Sequence, residues 1–258
     1  MQKKSEFLEV ALEASQAAAE IILHYYQDRV RARLKADQSP VTVADEEAER
    51  AIIRCIKKKF PQHDFLGEES GLSQSLNKKS EFIWIIDPID GTKNYIRKIP
   101  FFGIQIALMK KDELIIGVSM APVINDLVYA EKGQGVFRNG IPVEVSHVQE
   151  VSEAMLCFGG LKYFLKTGRF DAVRQLIKDV YRDRGFGDFY HYHFLASGQA
   201  DIVIEGQIRI WDIAAATVAV REAGGQVTDL NGQAITLEST HVLATNSLLH
   251  SKILPYFK

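Results

Sequence analysis

The spacing of hydrophobic residues changes from helical to strand-like within the first half of the chain. From residue 5 to about residue 28, apolar positions recur at helical spacing, and a second helical stripe begins near Ala44. A loop-like stretch from Gly67 to Lys79 follows. Four apolar runs of strand length come next, at residues 82–87, 101–109, 114–120 and 127–130. With a hairpin turn at Asn139-Gly140, the pattern predicts two helices against a largely antiparallel sheet.

Helical and strand-like segments alternate in the second half. Helical patterns cover residues 170–181, 190–197 and 212–223, and a glycine pair ends the last of them. Strand patterns cover residues 201–205, 227–228 and 241–245, and the chain ends in a short helix. The alternation predicts a mixed α/β layer. Because no repeat, low-complexity tract or linker interrupts the chain, we expect one unit over residues 1–258, softly divided into 1–150 and 151–258.

Composition is typical of an ordinary soluble protein and excludes several function classes. Of the 258 residues, 47% are hydrophobic and 25% are charged, and the net charge is −2. This balance gives no basic surface for a nucleic acid, and no apolar run approaches the roughly 20 residues of a membrane span. Cys55 and Cys157 fit no metal-binding spacing. The N-terminal segment contains acidic residues where a signal peptide has an apolar core, so we expect a cytoplasmic protein without nucleic-acid or membrane partners.

Two carboxylates follow the apolar run Phe82–Ile86. Asp87 ends the run, Pro88 cannot donate a ladder hydrogen bond, and Asp90 lies in a turn. The hydroxyl of Thr92 comes directly afterwards. Such oxygen atoms suit a hard divalent cation and the water bound to it. The stretch therefore predicts either a metal site at the end of a buried strand or an acidic turn that caps the strand.

Three further acidic positions also have two interpretations each. Glu68 lies in a loop and is either an exposed residue or a ligand. Asp45 follows Thr42 by three residues, which is typical of a helix capping box. Asp212 begins a helix after a strand, where a carboxylate either caps the helix or faces a cation. With the two acids of the strand end, these positions make five separated carboxylates, four of them at strand ends or helix starts, where clefts form.

Three motifs resemble the inositol monophosphatase superfamily in order and spacing. They are Gly67-Glu68-Glu69-Ser70, Asp87-Pro88-Ile89-Asp90-Gly91-Thr92, and Trp211-Asp212 followed by Glu222-Ala223-Gly224-Gly225. The resemblance extends over nearly the whole chain. It implies an α+β, or mixed α/β, fold in the form of a five-layered αβαβα sandwich that usually forms a homodimer. It also implies a magnesium-dependent, lithium-sensitive phosphatase of small phosphate monoesters.

The resemblance also implies a role for each matching residue. The metal ligands would be the side chains of Glu68, Asp87, Asp90 and Asp212 and the backbone carbonyl of Ile89. They would hold two or three Mg²⁺ ions, with Mn²⁺ as a possible substitute. Thr92 and Asp45 resemble the pair that orients and deprotonates the attacking water, and Glu68 is counted with them among the catalytic residues. Gly91 and Thr92 would donate hydrogen bonds from their backbone N–H groups to the phosphate. Such an anion is favoured at the start of a helix.

The substrate depends on residues outside these shared motifs. Asp188 and Phe189 resemble the histidinol-phosphate phosphatases of the superfamily, whose segment has Gly-Asp before an aromatic residue or Cys, and Lys93 resembles the same branch. Histidinol phosphate carries an ammonium and an imidazole, which Asp188 could pair with, together with Glu205. Asp188 is alternatively the N-cap of the following helix. Glu205 does not discriminate, because inositol enzymes use this position for a sugar hydroxyl.

Histidinol phosphate is therefore the first expected substrate, and inositol 1-phosphate or a range of small sugar phosphates is the alternative. A nucleotidase of the 3′-phosphoadenosine type and a fructose bisphosphatase are weaker alternatives. An inactive scaffold or binding protein would have lost a ligand, but the five carboxylates and Thr92 are all present. His191 and His193 are two apart on a predicted helix and point to different sides, which predicts packing or interface roles and not a metal pair.

Overall fold

Two long helices form an outer layer of the molecule, as their hydrophobic stripes predict. The computed structural model describes residues 4–27, 32–35, 39–73 and 80–258, so residues 74–79 of the predicted loop lie outside the described residues. Helix α1 is Glu6–Gln27 and helix α2 is Val43–Lys59. The backbone N–H of Asp45 donates to Thr42 Oγ1 (3.4 Å), and that of Thr42 donates to Asp45 Oδ2 (2.8 Å). The predicted capping box at the start of α2 is confirmed.

An eight-stranded sheet lies against these helices. Its strands are β3 (Asp64–Gly67), β4 (Gly71–Ser73), β5 (Phe82–Asp90), β6 (Gly103–Lys110), β7 (Glu113–Ala121), β8 (Asp126–Glu131), β9 (Gly135–Arg138) and β10 (Ile141–Val143). In space their order is β10-β9-β8-β7-β6-β5-β3-β4. Strands β3 and β5 pair in parallel and the other neighbours pair antiparallel, so the predicted largely antiparallel sheet is confirmed. A separate antiparallel pair, β1 (Ala32–Leu34) and β2 (Pro40–Thr42), precedes α2.

A smaller, mixed sheet forms in the second half of the chain. Its strands are β11 (Met155–Gly159), β12 (Arg182–Arg184), β13 (Ile202–Gly206), β14 (Gln226–Thr228) and β15 (His241–Thr245), in the spatial order β12-β11-β13-β15-β14. The remaining α-helices are α3 (Thr92–Ile96), α4 (Leu161–Lys166), α5 (Phe170–Asp179), α6 (Tyr190–Ala196), α7 (Ile210–Glu222) and α8 (His250–Ile253). Short 3₁₀ helices are Val151–Glu153 and Leu254–Phe257. Among the described residues, no helix is both long and apolar enough to cross a membrane.

The helices and sheets stack into five layers. Helices α1 and α2 cover one face of the large sheet, and α6 and α7 lie between the two sheets, while α4, α5 and α8 cover the outer face of the small sheet. The expected αβαβα sandwich is therefore the fold of this chain. Its central hydrophobic core joins residues from both halves, for example Ala107 and Val203. The soft division near residue 150 stays a prediction.

The structure corrects the predicted end of strand β5. The strand does not stop at Asp87, because Asp87 pairs with Gln105 and Asp90 pairs with Gly103. Two residues of β5 thus lie opposite one residue of β6, which is a β-bulge. Pro88 is accommodated inside this bulge, where the ladder needs no N–H from it. Strand pairing then resumes at Asp90, so both acids belong to one strand.

Gly117 lies where strand β7 meets helix α7. A Cβ atom there would be 2.4 Å from the carbonyl oxygen of Ala215, and a backbone atom cannot rotate away. We expect Gly117→Ala to lower the free energy of unfolding by about 1–3 kcal/mol, because the methyl group would force strand and helix apart. Urea denaturation measures this change. Gly185→Ala is the control, because its Cβ would face the movable ring of Phe158, and an equal loss in both variants would contradict the explanation.

Candidate active site

Three carboxylates converge where strand β5 ends and helix α7 begins. One oxygen each from Asp87, Asp90 and Asp212 lies within 4.8 Å of the others. Asp87 and Asp90 flank the bulge, and Asp87 Oδ1 accepts the backbone N–H of Ile89 at 2.9 Å. The bulge therefore directs two side chains from one strand to the same place. Three of the five carboxylates singled out from the sequence form this cluster.

Asp212 reaches the cluster from the first turn of helix α7. The helix begins at Ile210, two residues earlier than the hydrophobic pattern predicts, so Asp212 is its third residue and not its N-cap. Its Oδ2 atom accepts the backbone N–H of Arg209 at 2.7 Å. This hydrogen bond fixes the carboxylate at the helix start, where the helix dipole favours a negative charge.

Burial and mutual repulsion raise the pKa of each carboxyl in the cluster. Burial raises the pKa of Asp87 well above its ordinary value, and the charges of Glu68 and Asp90 raise it further. Burial is also the main reason why the pKa of Asp212 rises to about 8. Among the described residues, the buried Oδ2 atom of Asp90 has no hydrogen-bond partner. A divalent cation bound here would stabilise the ionised carboxylates, and the unpartnered oxygen of Asp90 would serve as one of its ligands. The three carboxylates therefore suit such an ion.

Glu68 lies beside the cluster and is paired with a lysine that the sequence analysis missed. Lys35 Nζ is 2.8 Å from Glu68 Oε1 and 2.8 Å from Glu69 Oε1. Burial raises the pKa of Glu69 to about 7, although Lys35 opposes that rise. The ammonium group of Lys35 therefore balances part of the negative charge at the loop. Lys35 and Glu68 are separated by 33 positions, and no local pattern in the sequence pairs them.

A second missed residue, Glu49, shapes the loop that carries Glu68. Glu49 on helix α2 is buried, and its carboxylate accepts the backbone N–H groups of Glu69 (2.9 Å) and Ser70 (3.0 Å). A Cβ atom on Gly67 would lie 2.4 Å from Glu49 Oε2. Glycine at position 67 thus allows the carboxylate to reach the loop backbone, and the loop in turn positions Glu68.

Asp45 serves the capping box and also faces Thr92, while its role with the attacking water stays a prediction. Its Oδ2 atom serves the capping box, while its Oδ1 atom lies 3.2 Å from Thr92 Oγ1. The Thr92 hydroxyl also lies 3.1 Å from the carbonyl oxygen of Ile89, so it can donate to either acceptor. Burial raises the pKa of Asp45 to about 6. Thr42 therefore orients a buried carboxylate, and that carboxylate faces the hydroxyl of Thr92.

A cavity of about 270 Å³ opens beside the cluster at the start of helix α3. It is lined by Ser39, Pro40, Glu68, Gly91, Thr92, Lys93, Asn94 and Asp188. Gly91 precedes the helix with φ of +88°, a conformation that favours glycine. A Cβ atom there would also lie 3.2 Å from Asp188 Oδ2. Gly91, Thr92 and Asp188, which were predicted to bind phosphate and substrate, therefore share one cavity with Glu68, whereas Glu205 is not among the lining residues.

Asp188 lines this cavity and does not cap helix α6. The N-cap position is Phe189, which makes no side-chain capping bond, so the helix-cap interpretation of Asp188 is wrong. Asp188 Oδ2 instead accepts a hydrogen bond from Asn94 Nδ2 (2.8 Å), and the backbone of Asp188 has φ of +49°. Burial and the nearby charge of Glu205 raise the pKa of Asp188 to about 6. Its carboxylate is thus held at the cavity by Asn94.

Glu205 is the next-to-last residue of strand β13, and its charge acts on Asp188. It is 8% exposed, and its Oε2 atom has two partners on helix α6, which are His191 Nε2 (3.0 Å) and the hydroxyl of Tyr192 (2.9 Å). A Cβ atom on Gly159 of the neighbouring strand would lie 2.3 Å from Glu205 Oε1. Glycine at that position leaves room for the carboxylate. The pKa of Asp90 is raised by burial first, then by the charges of Asp188 and Asp212, and then by the charge of Glu205, so Glu205 acts on the same site.

A five-layered sandwich that holds a cluster of three carboxylates, with a cavity beside it, defines a candidate metal-dependent hydrolase. The chain belongs to the inositol monophosphatase family, which it matches over residues 3–258. It is therefore a member of a family of phosphatases that depend on divalent metal ions, and its acidic cluster agrees with that chemistry.

Curated relatives of this chain have more than one substrate in their names. The histidinol-phosphatase of Chlorobaculum parvum is 36% identical over 243 residues, which cover 94% of this chain and 93% of the relative. The fructose-1,6-bisphosphatase/inositol-1-monophosphatase of Thermotoga maritima is 35% identical over 214 residues, which cover 83% of this chain and 80% of the relative. The two identities are too similar to decide between the substrates.

A solved structure confirms the fold over almost the whole chain. The crystal structure of extragenic suppressor protein suhB from Bartonella henselae is 30% identical and superposes with a TM-score of 0.91. The match covers 98% of this chain and 99% of that protein. The layered architecture and its connections are therefore those of the family.

Proposed function

We propose that this protein hydrolyses a small phosphate monoester with the help of Mg²⁺, and that histidinol phosphate is the substrate. The observation that carries this choice is the carboxylate of Asp188 at the cavity, which Glu205 supports with a second negative charge. Asp188 lines the cavity and the charge of Glu205 acts on it, and neither carboxylate forms an ion pair with a lysine or arginine among the described residues. Two such acids favour a substrate with positive charge next to its phosphate.

Five residues would hold the metal ions in this proposal. They are Glu68, Asp87, Asp90 and Asp212 through their side chains and Ile89 through its carbonyl oxygen. When bound, Mg²⁺ offsets the negative charge of the phosphate and lowers the pKa of a bound water. Oxygen-only ligands favour Mg²⁺ or Mn²⁺ over Zn²⁺. The carboxylates by themselves would repel a phosphate dianion, so the ion is needed for binding as well as for chemistry.

Thr92 and Asp45 would position the attacking water and accept its proton. The Thr92 hydroxyl donates to Asp45 Oδ1 or to the Ile89 carbonyl, which leaves its oxygen lone pairs as acceptors. A pKa of about 6 suits Asp45 as a base near neutral pH. The backbone N–H groups of Gly91 and Thr92 lie at the start of α3, where helix N–H groups lack partners within the helix and can bind phosphate oxygens.

The substrate proposal is tested with Asp188→Asn, which keeps the shape of the side chain and removes its charge. We expect kcat/KM for histidinol phosphate to fall by about 10- to 100-fold, because a charge-assisted contact to the substrate is lost. The value for inositol 1-phosphate should change less than about threefold. Both values are measured at one fixed Mg²⁺ concentration. The control variant is Asp183→Asn on strand β12, which makes the same change of side chain five residues earlier in the chain.

The same measurements on the unaltered protein decide between the two main substrates. If its kcat/KM for inositol 1-phosphate exceeds that for histidinol phosphate about tenfold, the order proposed here is wrong. An equal loss on both substrates in Asp188→Asn would assign Asp188 to the architecture of the site and not to recognition of the cation.

We also propose, from the family resemblance, that the protein is a lithium-sensitive homodimer and acts in the cytoplasm as one phosphatase unit over residues 1–258. Light scattering and Li⁺ titration of the Mg²⁺-dependent activity test the first two properties.

A further inference from the structure

Helix α6 places two buried histidines beside two different buried carboxylates. His191 Nε2 is 3.0 Å from Glu205 Oε2, and His193 Nδ1 is 3.0 Å from Asp126 Oδ2. The two rings therefore serve opposite sides of the helix, and they are 0% and 2% exposed. The sequence predicted this separation but did not find the carboxylate partners.

The two carboxylates differ in how their charge is balanced. Asp126 is bound by the guanidinium of Arg138, with Nε and one terminal nitrogen each 2.7 Å from a carboxylate oxygen. His193 also lies 2.6 Å from the hydroxyl of Ser119, so Asp126 and His193 form a closed structural network. Glu205 has no such cation, because no lysine or arginine among the described residues forms an ion pair with it. Its partners are His191 and Tyr192.

The hydrogen bonds around His191 indicate which ring nitrogen carries the proton. The Nδ1 atom of His191 is buried and has no partner among the described residues. A protonated imidazole would carry N–H groups on both nitrogens and would leave one of them buried and unpaired, which is costly. The favoured form is the neutral ring with its proton on Nε2, which donates to Glu205. Glu205 Oε2 thus accepts two hydrogen bonds, one from the His191 ring and one from the Tyr192 hydroxyl.

We propose that His191 and Tyr192 are positioning residues that fix the carboxylate of Glu205 in place for an ammonium group of the substrate. Asn94 does the same for Asp188, which it binds at 2.8 Å. Glu205 and Asp188 together form an ammonium subsite beside the phosphate-binding end of the cavity. This inference rests on the proposed function, because it assigns the site a phosphate monoester that also carries an amine.

The test compares an ammonium ester with a neutral ester in the full-length protein with Mg²⁺. Tyr192→Phe removes one donor, and His191→Leu removes the other, while His191→Gln keeps an N–H group near the position of Nε2. Tyr190→Phe is the matched control, because it also removes a tyrosine hydroxyl from helix α6, but one whose side-chain partner is Arg138 and whose ring packs against Phe101 and Phe194. The substrates are histidinol phosphate, O-phosphoethanolamine and p-nitrophenyl phosphate, and thermal unfolding checks that each variant folds.

We expect Tyr192→Phe and His191→Leu to raise KM for histidinol phosphate by about tenfold, the effect of one lost hydrogen bond to a charged group, while kcat changes less than about twofold. His191→Gln should restore most of the affinity. Constants for p-nitrophenyl phosphate, which lacks an amine, should stay within about twofold in all variants. Free histidinol should inhibit p-nitrophenyl phosphate hydrolysis less in the two weakened variants than in the unaltered protein.

Each other outcome has a defined meaning. An equal loss on both kinds of ester, or no loss on either, would overturn the positioning role while leaving histidinol phosphate as substrate. Selective loss on O-phosphoethanolamine in a protein that does not hydrolyse histidinol phosphate would support the ammonium subsite and refute the proposed substrate. An unaltered protein with no preference for ammonium esters would overturn both. If His191→Leu does not fold, Tyr192→Phe and His191→Gln still decide the result.

Discussion

Replacing Asp90 with asparagine is expected to abolish hydrolysis of phosphate monoesters and to leave the fold intact. Asp90 Oδ2 is buried without a partner among the described residues, and its carboxylate lies within reach of those of Asp87 and Asp212. Asparagine has the same shape but brings no negative charge to a cation. We expect kcat/KM to fall by more than roughly 10³-fold, at or beyond the upper end of what the loss of one charge-stabilising group costs.

The stability of this variant separates a functional role from a structural one. Burial and neighbouring acids raise the pKa of Asp90 well above its ordinary value, so its ionised form destabilises the metal-free protein at neutral pH. Asp90→Asn should therefore unfold at the same temperature as the unaltered protein, or higher, when metal is removed. Asp112→Asn, at an exposed turn, is the control for both measurements. An Asp90→Asn protein with Mg²⁺-dependent activity would refute the assignment of Asp90 as a metal ligand.

The sequence predicts the acidic cluster because its residues lie at the junctions of regular elements. A run of apolar residues followed by Asp-Pro indicates the end region of a strand, although the strand continues to Asp90, and an acid at a helix start indicates either a cap or a carboxylate that faces a cation. The exact path of the backbone was less predictable. The bulge between Asp87 and Asp90 depends on the register with strand β6, and register is set by pairing with residues that are distant in sequence.

The partners of the predicted site residues could not be found from local patterns. Lys35 pairs with Glu68, Asn94 binds Asp188, and the backbone of the Glu68 loop is held by Glu49, and each of these contacts joins separate elements. The short strands β3, β11 and β12 were also missed, because three to five residues carry too little periodicity to be recognised. Tertiary structure, and not propensity, determines these features.

Metal-free protein is expected to lose stability as the pH rises from about 6.5 to about 8.5. The pKa of Asp212 in the folded protein is raised to about 8 and that of Glu69 to about 7, mainly by burial, while unfolded carboxyls titrate near 4. A raised pKa in the folded state gives stability that is fully present below the unfolded pKa and is lost as pH rises through the folded pKa. Each proton that the folded state holds and the unfolded state does not hold lowers the free energy of unfolding by about 1.4 kcal/mol per pH unit.

The buried histidines, whose titration raises stability as the pH rises, act below this pH window. Burial lowers the pKa of His193 and His250, and such groups add stability as pH rises, but only up to their ordinary pKa of 6.5. Unfolding by urea at several pH values, with chelator present, measures the slope. Added Mg²⁺ should flatten the slope, because a bound cation keeps the carboxylates ionised in the folded protein, and Asp212→Asn should reduce the slope without metal. Stability that rises with pH in metal-free protein would contradict a cluster of buried, mutually repelling carboxylates.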